Sequence, residues 1–183
     1  MLQLQINGGE LFDEKTEKFI SIKPQTLQLE HSLISVSKWE AKWKKPFMSK
    51  DPMTTEETLD YIRFMTISPQ NVDPMIYKFI NQEHVQKVMA YIQDPMTATV
   101  ISDRNRKRGG QQQVVTSELV YYYMTAYQIP FDPCQKWHFN RLMTLIRVCD
   151  AKQQKPQKMT QSEVNKLNHA RNAARKAKHG TRG

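Results

Sequence analysis

The sequence predicts an α+β fold that is predominantly α: a helical domain with two small β-hairpins and a basic C-terminal helix. Three observations carry that expectation. Apolar residues recur at helical spacing through most of the chain. Two short stretches, at the N-terminus and around residues 96–116, are instead alternating or β-prone. Charge is also segregated: of a net +9, nine basic residues from Lys152 onward, opposed only by Glu163, supply +8. The first 150 residues hold 18 basic and 17 acidic groups. The expected organisation is therefore a mainly helical domain with an N-terminal hairpin, 1–150, followed by a basic linker and helical arm, 151–183.

In chain order, Leu2-Gln-Leu-Gln-Ile6 alternates with period two, and Asn7-Gly8-Gly9 can supply a turn. Lys18–Ile22 is a second extended stretch, so residues 2–23 are expected to form a hairpin. From Leu27 to about Lys45 the spacing turns helical, with Leu29, Leu33 and Val36 on one face, Trp39 and Trp43 at i, i+4, and Lys38, Lys42 and Lys45 as a neighbouring stripe. Thr54-Thr-Glu-Glu57 has capping-box spacing and opens a helix through Leu59 and Ile62. Asp73-Pro74 opens a short helix, and Asn81 caps another that Asp94-Pro95 stops. The β-prone runs Thr97–Ile101 and Gln113–Thr116 flank Arg104, Arg106, Lys107, Arg108 and two glycines, which reads as a hairpin with a basic tip. Thr116 or Ser117 caps a helix carrying Tyr122, Tyr123 and Tyr127. Asp132-Pro133 is expected to start the longest apolar helix, through Trp137, Leu142, Ile146 and Cys149. Thr160-Gln-Ser-Glu163 repeats the capping-box spacing and opens the basic helix.

Nothing in this string assembles an enzyme. The five histidines show no metal-ligand spacing, and no Walker loop or dinucleotide fingerprint is present, so neither catalytic residues nor a metal or cofactor is expected. Cys134 and His138 are an i, i+4 pair, read as a buried thiol beside a helix-surface histidine rather than a nucleophile. Cys134 and Cys149, about 22 Å apart along one helix, are expected to be free thiols. Glu56, Glu57 and Asp60 are read as first-turn acids favouring the helix dipole. No apolar run approaches the roughly 20 residues that span a bilayer. The stretch 1–9 lacks the pattern of a signal peptide, so the chain is expected to remain where it is made.

Binding residues are the remaining candidates. The tryptophans Trp39 and Trp43 beside lysines could stack bases, but the preferred reading places them in a core with the lysine stems covering ring edges. Trp39, Trp43, Tyr123 and Trp137 are the candidate structural or groove-forming residues. Arg104, Arg106, Lys107 and Arg108 at the tip, and Arg171, Arg175, Lys176 and Lys178 in the arm, are candidates for nucleic acid or an acidic partner.

Several segments carry a family resemblance. The run Thr26–Phe47, with Asp60-Tyr-Ile-Arg-Phe-Met-Thr-Ile67, Asp94-Pro-Met-Thr-Ala-Thr99, Thr116-Ser-Glu-Leu-Val-Tyr-Tyr-Tyr-Met124 and Gln135–Cys149, resembles tail assembly chaperones of long-tailed bacteriophages. It covers roughly residues 20–150 and excludes the arm. The resemblance implies a late viral protein of the host bacterial cytoplasm that binds the long, aggregation-prone tape measure protein while the tail tube polymerises, with other tail proteins or a second copy as further partners. Ten methionines suit adaptable apolar binding. The alternatives are a phage protein gripping nucleic acid through the arm, or a structural head–tail component.

Overall fold

The structure is a computed structural model describing residues 1–13, 17–67, 69–99, 114–153 and 161–179. The chain divides into two units, Met1–Asp150 and Ala151–Gly183. It is α+β and mainly α, with two small two-stranded antiparallel sheets among the described residues.

Both sheets lie within the first 30 residues. Strands β1 (Leu2–Ile6) and β4 (Gln25–Leu29) pair with Leu4 opposite Leu27, and between them β2 (Gly9–Asp13) and β3 (Lys18–Ile22) form an inner hairpin with Phe12 opposite Phe19. Leu4, Ile6, Leu27 and Leu29 are buried on one face, as period two requires. The expected hairpin over 2–23 is thus two nested pairs, and its first strand finds its partner beyond the expected boundary. The chain crosses between pairs at Gly8, where an added Cβ would stand 1.8 Å from the Ile22 carbonyl oxygen. Gly8→Ala should therefore force the 22–23 backbone away and cost about 1–3 kcal/mol. A thermal melt checks this; a wild-type midpoint would contradict it.

The β4 assignment corrects the expected start of the first helix. Leu29 belongs to a strand, and α1 runs Leu33–Trp43. Ser32 caps it, accepting from the Ser35 N–H while Ser35 Oγ accepts from the Ser32 N–H. Leu29 fits the helical spacing to Leu33 and Val36 only by coincidence, since the β1 backbone needs the 25–29 segment as its partner. Helix α2 (Thr55–Met65) has the expected capping box from Thr54 and Glu57. Its end returns to β4, with the Glu30 N–H donating to the Met65 carbonyl at 2.9 Å and the Ile67 N–H to that of Gln28 at 2.8 Å.

A 3-10 helix, Pro74–Phe79, opens at Asp73-Pro74, and Asn81 caps α3 (Gln82–Gln93). Thr116 caps α4 (Ser117–Ala126). The helix expected from Asp132 to Cys149 is broken into α5 (Phe131–Cys134) and α6 (Phe139–Gln153). The intervening backbone is used elsewhere: His138 bridges to Ser32, and the Phe139 N–H donates to the His31 carbonyl at 2.7 Å. Cys134 and Cys149 are free thiols on different helices. The expected hairpin over 96–116 falls mainly outside the described residues; its described ends, 96–99 and 114–116, are not strand.

The body's core joins the β1/β4 face to α1, α2, α4 and α6 through Leu4, Leu27, Leu33, Trp39, Tyr61, Ile62, Met124, Phe139 and Leu142. In the second unit, α7 spans Gln161–His179. Thr160, its expected cap, lies outside the described residues.

Candidate functional site

The site is assembled from three places in the sequence. Helix α4 places Tyr123 and Tyr127 one turn apart, with their rings stacked at 6.4 Å and 13°. Helix α6 presents Met143, Ile146, Arg147 and Asp150 at i, i+3, i+4 and i+7, one face of a helix. The loop after α1 supplies Met48 to Asp51. Together with Val114 and Val115 these residues line a groove of about 780 Å³. Its lining mixes apolar and aromatic side chains with Lys50, Asp51, Arg147 and Asp150, which give it charges of both signs. The Tyr127 hydroxyl donates to Asp150 at 3.2 Å. Burial, reinforced by Asp150, pushes that hydroxyl above its ordinary value of 10.0.

The loop on the groove's edge is held from below by Glu40. This buried α1 carboxylate accepts from the Phe47 N–H through Oε1 and from the Ser117 N–H through Oε2, each at 2.7 Å. It thereby caps the first turn of α4, where a negative charge also favours the helix dipole. One side chain fixes two of the groove's three contributors.

A second polar cluster lies sealed in the core. The Tyr61 hydroxyl hydrogen-bonds His31 Nδ1, and Ser35 Oγ stands 3.3 Å from the same hydroxyl. The His31 ring sits 5.0 Å from that of His138, whose Nε2 donates to the Tyr91 carbonyl at 3.0 Å. Burial, then the neighbouring His138, lowers His31 from 6.5 to about 3. Burial raises the Tyr61 hydroxyl, which keeps its proton. His31, Ser35 and Tyr61 are each 1–2% exposed, so this cluster ties β4, α1, α2 and α6 together without access for a substrate.

The sequence candidates distribute unevenly over this geometry. Tyr123 lines the groove. Trp39 is core, donating from Nε1 to the Glu57 carbonyl at 3.0 Å. Trp43 is half-buried beneath Lys42, whose ammonium lies 5.3 Å from its ring centre. Trp137, half-buried, carries the Arg141 guanidinium at 4.5 Å. None of the three tryptophans is among the residues lining the groove. Two lysines of the stripe reach α2: Lys42 pairs with Asp60, and Lys45 with Glu57 at 2.6 Å. Lys45 leads the groups that hold the Glu57 carboxyl below its ordinary value. Arg104, Arg106, Lys107 and Arg108 lie outside the described residues. Arg171, Arg175, Lys176 and Lys178 are exposed on α7.

Cys134 and His138 do not share a helix, and His138 is buried rather than on a helix surface. Among the described residues no group of three His, Cys, Asp or Glu side chains could hold a metal ion, and no helix is long and apolar enough to cross a membrane. Sequence reasoning missed Met143, Ile146 and Arg147, although their single-face spacing on α6 was available. Comparison with protein-family models, with curated proteins and with solved structures gives no match to this chain.

Proposed function

We propose that the protein is a non-enzymatic tail assembly chaperone of a long-tailed bacteriophage, which binds the tape measure protein in the host cytoplasm and keeps it soluble until the tail tube encloses it. The observation that carries this reading is the groove between α4, α6 and the 46–51 loop. Its stacked tyrosines and its methionines offer apolar surface that adapts to different side chains. Its charged lining residues suit the polar flank of an amphipathic helix, the form in which a long helical protein exposes its apolar stripe. The resemblance over residues 20–150 spans α1, α2, α4 and α6, the helices that build this body. Release then requires only that a tighter partner, the closing tube, compete for the same stripe.

Coexpression in bacteria with the long helical tail protein of the same phage tests the reading. The expected result is a soluble complex that copurifies, with the tail protein aggregated when expressed alone. Equal solubility of the tail protein without this chain would overturn it.

A further inference from the structure

We infer that α7 is a duplex-DNA-binding helix, a function separate from the groove and independent of the tail-assembly reading. Three side-chain families divide its surface. Asn165, Asn168 and Asn172 fall at i, i+3 and i+7 on one face. Arg171, Arg175 and Lys178 fall at i, i+4 and i+7 along the adjoining edge, and Lys176 flanks the asparagines on the other side. Ala170, Ala174 and Ala177 occupy the opposite face. All of these positions are exposed. Against five basic residues, Glu163 is the only acid in α7.

Several properties select duplex DNA as the occupant. The excess positive charge is complementary to a phosphate backbone, where each neutralised phosphate releases a counterion. A helix of 19 residues is about 28 Å long and about 10–12 Å across, which the DNA major groove admits. Asparagine amides match the adenine edge exposed there, and the flanking arginines and lysines reach phosphates. Alanines on the outer face leave the helix slim. Single strands are held by stacking on aromatic rings, and α7 has no Phe, Tyr or Trp. Membrane-surface helices bury bulky apolar side chains, and beyond its alanines α7 offers only Val164 and Leu167.

The test uses the full chain. Binding to a 20-base-pair duplex is measured by fluorescence anisotropy between 50 and 200 mM salt, beside a single-stranded oligonucleotide and anionic phosphatidylglycerol vesicles. The expected result is duplex binding whose log affinity falls against log salt with a slope of about −4.5, as about five phosphate contacts require. The triple variant R171Q/R175Q/K178Q should lose about 2.7 of that slope while its unfolding curve stays that of the wild type. Absence of duplex binding at 100 mM salt would overturn the proposal. So would tighter binding to the single strand or the vesicles, or a triple variant that binds DNA as the wild type does.

Discussion

Acidification from pH 6.5 to 4.5 is expected to remove about 2.3 kcal/mol from the stability of the folded chain, with His31 as the principal cause. The folded state holds this imidazole at about 3, against 6.5 when unfolded, because burial, and then His138, disfavour its charged form. Within that window the unfolded chain takes up a proton that the folded chain declines. Stability is therefore complete only about one unit above pH 6.5, and its fall steepens to about 1.4 kcal/mol per pH unit about one unit below pH 6.5, until the folded value is reached. The Glu57 carboxyl acts in the same direction but lower down: its folded value is depressed, so its contribution is present above its unfolded value of 4.5 and is lost beneath that. Restricting the titration to pH 6.5–4.5 separates the two. Urea unfolding followed by tryptophan fluorescence measures the slope. In His31→Gln the slope should fall by about one proton, although the variant is less stable at pH 7 because the Tyr61 hydroxyl loses its His31 Nδ1 partner. Equal slopes in the two proteins would show that His31 is not the group responsible.

The second large effect is expected at Glu40. Its two carboxylate oxygens each satisfy a backbone N–H, those of Phe47 and Ser117, and Ser117 is itself 1% exposed. Glu40→Ala leaves both donors without a partner. At about 1–3 kcal/mol for each unsatisfied group, the loss should be about 3–4 kcal/mol. Glu40→Gln retains one acceptor and should lose less. Because Glu40 joins the loop after α1 to the start of α4, the alanine variant should also loosen the groove's edge, seen as faster amide exchange around residue 47. Destabilisation below 1 kcal/mol would mean that water or a rearranged side chain takes over both bonds.

These residues mark where local sequence patterns stop being informative. The caps at Thr54, Asn81 and Thr116 and the Asp73-Pro74 opening were legible, because each depends on contacts within three residues in sequence. The alternation of Leu2, Leu4 and Ile6 marked a strand for the same reason. Its partner was not legible: the 25–29 segment lies across an intervening hairpin, and its Leu29 happens also to suit the first helix's periodicity. The break at 135–138 was hidden because its cause is remote, a bridge from His138 to Ser32 more than a hundred residues earlier. The buried His31–His138 pair and the Glu40 anchor were missed on the same grounds. Tyr123 was singled out as an aromatic, whereas the groove around it needs α4, α6 and the 46–51 loop brought together. The segregation of charge into the arm was legible in full, since composition alone carries it.

The central claim is that the groove holds the apolar stripe of a long helical partner. Its most direct measurement is copurification of the tape measure protein with the wild type and with the double variant Tyr123→Glu/Met143→Glu, whose two positions are half-buried groove-lining side chains outside the fully buried core. With unchanged far-ultraviolet circular dichroism, the variant should recover at least tenfold less soluble partner, because two buried carboxylates would have to be desolvated on binding. A folded variant that recovers the partner as well as the wild type does would contradict the claim.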